Sequence, residues 1–354
     1  MKGESWTWIA SSLLALSLVA CGGGDSEPAP GAMPFSNAIA YDHGYYPVVA
    51  GVEKTNVVIE MHEGTHSGLW YHVGTVDLAN GAINWGPSTQ WLAADGSGFW
   101  SNHPSVSVSD DCIVAEAHVH QTASQVEGDG SIWTTIGTAD PGGNAMGWGP
   151  IQPIDSHGYF PSIVISRDGN AAVIVYQNDP KGGTLFYRVG TDDKAKNSID
   201  WGPRYPFTQG TLPSIGMDEL GNILEVHNSY QQNQELWYTV GKLDRATLTV
   251  NWGGTYGFNS AELGARVVLS DAGQHLAAGS SLVVFPGRDN RGDLWWDAGQ
   301  PNPSNFMGNW GPSYSYNSGA NPAVAYVYKG LWLEVHGSNV SDGNPKLWYS
   351  LVQP

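Results

Sequence analysis

Hydrophobic and polar positions alternate over short stretches of this chain, and the same stretches return at intervals of about 50–60 residues. An aliphatic residue followed by two mostly aromatic positions recurs as Leu69-Trp70-Tyr71, Ile132-Trp133-Thr134, Leu185-Phe186-Tyr187, Leu236-Trp237-Tyr238, Leu294-Trp295-Trp296 and Leu347-Trp348-Tyr349. After the first five of these comes Trp-Gly, at Trp85-Gly86, Trp148-Gly149, Trp201-Gly202, Trp252-Gly253 and Trp310-Gly311. Ahead of the aromatic step stand two further segments. One begins with Pro and a small or apolar residue, as in Pro47-Val48-Val49, Pro161-Ser162-Ile163 and Pro322-Ala323-Val324. The other ends in Glu-x-His: Glu60 with His62, Glu116 with His118, Glu225 with His227 and Glu334 with His336. Units three and five carry Ile174-Val175-Tyr176 and Val283-Val284-Phe285 instead.

All four segments are short, rich in β-branched and aromatic residues, and bounded by Gly, Pro, Asn or Asp, which is the strand signature. No sustained helical period appears beyond the first twenty residues. The expected fold is therefore all-β: a six-bladed β-propeller with four antiparallel strands per blade, A to D from the axis outward. The last unit stops at Pro354 without an outer strand of its own. Tyr41-Asp42-His43-Gly44 matches Tyr316-Asn317-Ser318-Gly319 in spacing, so the segment near Phe35 is expected to complete the last blade and close the ring.

Strand direction gathers the chemistry at one end, the top. Strand B ends there with Glu-x-His, strand C begins there with the aromatic step, and strand D is expected to end there with Trp-Gly. The spacing from the Gly closing strand C to the Trp of strand D is eleven residues in all five units that have both. The loops around the second unit are the long ones, and inserted loops on a rigid scaffold carry function. The first holds Trp91, Asp95, Phe99, Trp100 and His103; the second holds His120, Glu127 and Asp129. Indoles beside carboxylates and amides suit a sugar, which stacks its C–H face and hydrogen-bonds its hydroxyls. The Glu-x-His pairs share a strand face. They have two readings. In one, Glu60, His62, Glu116, His118, Glu225, His227, Glu334 and His336 face a ligand as acceptors and imidazoles. In the other, they are buried ties between blades.

Composition adds constraints. The 354 residues hold 15 Lys plus Arg against 33 Asp plus Glu, a formal charge of −18, which disfavours nucleic acid and anionic membrane as partners. No cofactor and no metal centre is expected, His118-Val119-His120 lacking a third ligand at a diagnostic spacing. The chain is expected to act as a monomer. Residues 1–20 have a charged start and an apolar run too short for a comfortable span. Leu18-Val19-Ala20-Cys21 resembles the lipobox of bacterial lipoproteins. The resemblance implies cleavage before Cys21, lipidation of that cysteine, and anchoring at the outer membrane or cell surface through that lipid. Residues 21–32 then form a flexible tether and 33–354 the propeller. Cys112 is left as a buried inert thiol.

The order Trp-Gly, x-Pro-apolar, Leu-Glu-Val-His and Leu-Trp-Tyr is similar to the repeat of bacterial β-propeller lectins, most clearly at Asn321-Pro322-Ala323-Val324-Ala325 and Leu333-Glu334-Val335-His336. It implies carbohydrate pockets between blades and a non-catalytic, glycan-binding role, although His336 stands where those lectins carry Phe and the better-known members have seven blades. A protein-interaction scaffold is the first alternative. The second is a sialidase-like glycosidase, for which the scattered arginines and the missing Ser-x-Asp-x-Gly-x-x-Trp box are poor support.

Overall fold

The computed structural model describes residues 35–352, apart from 53, 66–67, 93–99, 122–129, 141, 143, 231–234, 262–263, 271–279, 288–291 and 340–344. Met33–Pro354 forms one compact unit. It is all-β, relieved among the described residues by one 3-10 turn at Tyr328–Gly330. In the first repeat, Tyr45–Gly51, Val57–Glu63 and Leu69–Asp77 run antiparallel in that order. The outer edge is made by two short strands, Ala82–Trp85 and Thr89–Leu92, which both pair with the third.

The other repeats follow this plan. In the last, Ala320–Val327, Leu331–Gly337 and Lys346–Val352 are completed on the outside by Ile39–His43, with Ala40 opposite Trp348. Phe35 adds an isolated bridge to Val352, and its ring stacks on Tyr316 at 4.2 Å. Units three and four join into one eight-stranded sheet, because Tyr205–Met217 is the outer edge of one and the inner strand of the next. The inner strand of each unit touches those of the units before and after it, and Ala320–Val327 touches Tyr45–Gly51.

Trp-Gly does not end the outer strand, as expected from sequence; it sits in its middle. Trp85 lies opposite Gly74, and pairing resumes beyond Pro87 with Gln90 opposite Trp70. The reason is steric. A Cβ on Gly74, Gly137, Gly190, Gly241 or Gly299 would lie 2.5–2.9 Å from Cε3 of the opposite Trp. Each indole therefore lies flat over a bare glycine, and the invariant eleven-residue spacing is the length of hairpin that sets one across from the other. Beyond the indole, an aromatic ring from the preceding unit's outer strand stacks on it: Tyr41 on Trp85 at 5.1 Å, Trp91 on Trp148 at 4.5 Å, Phe207 on Trp252 at 4.6 Å and Phe258 on Trp310 at 4.2 Å. These stacks join neighbouring sheets with the favoured offset geometry of aromatic pairs.

Nearer the centre, serine hydroxyls join the sheets. Ile163 N–H donates to Ser105 Oγ at 3.0 Å, Ile215 N–H to Ser162 Oγ at 3.1 Å, and Val267 N–H to Ser214 Oγ at 3.1 Å. The hydroxyls satisfy inner-strand amides that have no further strand to pair with.

Candidate functional site

Each inner strand begins with a residue of left-handed backbone. In unit order these are Tyr46, His103, Phe160, Leu212, Gly264 and Asn321, with φ of 49, 51, 50, 55, 66 and 51°. Five of the six precede a proline, which cannot donate to the ladder. The register slips at each of those five positions, between Tyr45 and Val48 in the first unit and between Asn102 and Ser105 in the second. A bulge re-aims the side chain it carries. Here the five bulged positions, with Gly264, line the wall of one cavity of about 590 Å³ at the end where the inner strands begin. Left-handed non-glycine residues cost on the order of 1–3 kcal/mol each, and such strain collects at functional sites.

The wall is aromatic on one side. The Tyr46 ring lies 4.9 Å from His103, which meets Phe160 edge-on at 4.5 Å. Thr211, Asn228, Asn321 and Lys181 supply hydroxyl, amide and ammonium groups. Arg266 stands where the inner strands of units two to four place Ser105, Ser162 and Ser214. Among the described residues its side chain makes one hydrogen bond, a long one of 3.5 Å to Ala265 O, and pairs with no carboxylate. Burial brings its pKa down to about 10, still charged at neutral pH. Burial, and after it the Arg266 charge, push His103 down to about 4, so this imidazole is neutral. Glu63 accepts the His103 backbone N–H at 2.6 Å, and burial raises its carboxyl to about 7.

His103 is the one sequence-predicted residue on this wall. Trp91 is in a strand, committed to the stack on Trp148 and to an edge contact with His118 at 5.8 Å. Trp100 opens the inner strand of unit two, opposite Gln121. Asp95, Phe99, Glu127, Asp129 and Cys21 lie outside the described residues. His120 packs on Trp133 at 5.0 Å.

The ligand-facing reading of the Glu-x-His pairs is corrected in favour of the buried one. Glu60, Glu116, Glu225 and Glu334 have 0% exposure. Their partners are as deep: His62, His118 and His227 are 1% exposed and His336 is 2%. In every pair the His Nδ1 faces the carboxylate, at 3.1 Å from Glu116 to His118 and 2.9 Å from Glu225 to His227. Three of the four imidazoles are covered by a glycine at the entry to the inner strand. A Cβ on Gly44, Gly210 or Gly319 would come within 2.5 Å of the ring Cδ2 of His62, His227 or His336 respectively. His227 thus spends one nitrogen on Glu225 and one ring edge on Gly210. It borders a separate hollow beside Tyr230, Glu235 and Trp237, and like the other three it does not reach the cavity of the inner strands. Burial raises the Glu116 and Glu225 pKa, against the pull of the paired imidazole.

Sequence reasoning passed over Tyr46, Phe160, Leu212 and Asn321. The signal was present as the residue before each proline; what could not be read was that the bulge turns it toward the axis.

No family model matches the chain, and no curated protein matches it. Similar solved structures include the Hadza microbial sialidase Hz136, at TM-score 0.61 and 10% identity, covering 87% of this chain and 65% of that one. A Penicillium chrysogenum alpha-L-arabinanase complexed with arabinobiose aligns at TM-score 0.58 and 11% identity over 90% of this chain and 98% of that one. A fucose-specific lectin from Aleuria aurantia aligns at TM-score 0.51 and 9% identity, over 88% and 97%. The chain thus spans a little under two thirds of the sialidase. At these identities the likeness defines the fold, which is of the β-propeller type.

Proposed function

We propose that this protein is a non-catalytic carbohydrate-binding propeller that holds its ligand in the cavity at the start of the inner strands. The observation that carries the reading is that cavity: about 590 Å³, within the range of small-ligand sites, with Tyr46 and Phe160 as stacking faces and Asn228, Asn321 and Thr211 as hydrogen-bonding groups. In a chain of net charge −18, Arg266, which pairs with no carboxylate among the described residues, favours a glycan bearing an acidic substituent. Hydrolysis by paired carboxylates needs two such groups flanking the bond. The described wall is aromatic, amide, hydroxyl and cationic, which suits holding rather than cleaving. The sialidase, arabinanase and lectin titles of similar folds are consistent with a sugar ligand.

The ring is read as six blades closed by the Ile39–His43 strand, a reading supported by its pairing with Lys346–Val352 and by the cyclic contacts of the inner strands. Residues 1–20 are read as a lipoprotein signal, with the protein held at the outer membrane or cell surface through lipidated Cys21. Cys21→Ala is expected to abolish acylation seen by mass spectrometry and to release the protein from the membrane fraction; retention there would refute the anchor.

A glycan array probed with the full-length chain tests the ligand. Binding to a defined glycan class is expected, weakened at least tenfold by Tyr46→Ala and, for acidic glycans selectively, by Arg266→Gln. Hits that both variants bind unchanged, or no glycan hit alongside a specific protein partner, would sink the reading.

A further inference from the structure

Neighbouring units are tied by one more repeated contact. At three junctions an outer-strand residue meets a residue of the next unit's third strand, at the position that lies opposite Glu in each Glu-x-His pair. Around the molecule the outer positions are Asp42, Leu92, Asp155, Thr208, Asn259 and Asn317, each at the same place relative to its strand bulge. The third-strand positions are His72, Thr135, Arg188, Thr239, Asp297 and Ser350. At two of these junctions donor meets acceptor. Arg188 Nη2 lies 3.7 Å from Asp155 Oδ2, and Asn259 donates to Asp297 Oδ2 at 2.5 Å.

The junction between the Ile39–His43 strand and the first unit breaks this rule. Asp42 Oδ2 lies 2.8 Å from His72 Nε2 and 3.6 Å from His62 Nε2. Both rings have their other nitrogen engaged: His62 Nδ1 at 3.1 Å from Glu60, and His72 Nδ1 at 2.9 Å from the Gly86 carbonyl oxygen. The Glu60 carboxylate accepts, so the proton of a neutral His62 is assigned to Nδ1; His72 has an acceptor at each nitrogen, and with Nδ1–H directed at the Gly86 carbonyl its Nε2 is free to ligate. Two Nε2 atoms then converge with a carboxylate oxygen, all within 4.8 Å of one another, and the carboxylate also accepts from Ser88 and from the His43 backbone. Acceptors facing each other are relieved by a shared cation, either a proton on His72 or a metal ion held by all three groups.

We propose that Asp42, His62 and His72 bind a divalent first-row transition ion, Zn²⁺ being the natural occupant of a set of two imidazoles and one carboxylate. The two Asp–His separations bracket the ~3.3 Å edge of a tetrahedron with bonds of about 2.0–2.1 Å. Glu60 and the Gly86 carbonyl are the outer partners that fix ring tautomer and orientation in metal sites. Asp42 retains 21% side-chain exposure, against 2% and 5% for the histidines, which leaves a solvent path and room for a water as fourth ligand. The other three Glu-x-His pairs, opposite Thr135, Thr239 and Ser350, lack the second imidazole, so one such site follows among the described residues. Asp42 comes from the N-terminal strand and both histidines from the first unit, so the ion pins that strand to the sheet beside it.

Isothermal titration of the EDTA-stripped full-length chain with Zn²⁺ tests this. One equivalent is expected to bind and raise the melting temperature. Asp42→Asn and His72→Thr copy residues the protein itself uses at the matching positions, Asn317 and Thr239. Each is expected to weaken Zn²⁺ at least tenfold and to abolish the metal-dependent thermal shift, while His157→Gln, at an exposed histidine elsewhere, changes neither. Glu60→Gln, which loosens His62 without removing a ligand, should cost about 10–100-fold in affinity. No stoichiometric Zn²⁺ binding, equal binding by Asp42→Asn, or equal response to Mg²⁺ would overturn the proposal. Should His72→Thr fail to fold, Asp42→Asn decides by the same readout.

Discussion

Replacing Gly241 by alanine tests why tryptophan and glycine recur eleven residues apart. The added Cβ would lie 2.7 Å from Trp252 Cε3, 2.7 Å from Val250 Cγ1 and 2.9 Å from Trp252 Cζ3. Carbon atoms in contact sit about 3.5–4.0 Å apart, so the indole and the valine must both retreat by several tenths of an ångström. Neither can do so freely, because Val250 is buried in the same cluster that holds Trp252 and Phe207 stacks on the indole's other side. Overpacking of this kind costs about 1–3 kcal/mol. Alanine restricts the unfolded chain and returns about 0.4–1 kcal/mol, leaving a net loss of up to about 2.6 kcal/mol. For a chain of this length that is a fall in melting temperature of up to about 4 °C. Gly147→Ala is the matched control. It is also a strand glycine, but its nearest atom would be Thr138 O at 3.8 Å, so only the unfolded-state effect remains and the melt should hold or rise slightly. Calorimetry of both variants beside the parent decides. Equal shifts, or a stabilised Gly241→Ala, would refute the steric account of the repeat.

Ser214→Ala removes the acceptor of the Val267 N–H; stranding that buried amide should cost about 1–3 kcal/mol in the same calorimetric comparison, whereas a neutral result would mean that the hydroxyl does not tie units four and five. Deleting residues 35–43 strips the outer strand from Lys346–Val352 and should sharply lower the melting temperature and promote association through the bared edge, to be followed by light scattering; an unchanged melt would discredit the closure. His103 has its pKa pushed from 6.5 down to about 4 by burial and by Arg266. The unfolded chain therefore takes up the proton first, and this site's stabilisation, full above about pH 6.5, is lost as pH falls toward 4. Melting temperatures of parent and His103→Gln should converge on acidification across that window, and parallel profiles would contradict the assignment.

Much of the architecture was legible as pattern. Short alternating segments bounded by Gly and Pro could only be strands, and their recurrence demanded sheets that cover one another's faces. The matching spacing around Tyr41 and Tyr316 was visible too, and both residues lie in outer strands of the same kind. The site was less legible, for three reasons. Trp91 had the composition of a binding residue, yet a stack contributed by the following unit claims its ring, and a pairing between units leaves no trace in local spacing. His227 shares a strand face with Glu225, as the spacing of two required, but spacing does not say that the face is closed over by Gly210. Tyr46, Phe160 and Asn321 looked like ordinary strand starts because nothing in sequence reveals how a bulge points a side chain.

By itself, then, the order of residues determined the element type, the repeat and the partners along each hairpin, since these depend on periodicity and on contacts over one or two turns. Only the tertiary structure decided what meets across sheets. It placed five bulged residues and Gly264 around one cavity, left Arg266 without a carboxylate among the described residues, and brought Asp42 from the N-terminal strand to His62 and His72. Those meetings are fixed by the curvature that stacks one sheet on the next, a property of all the units together and of no single one.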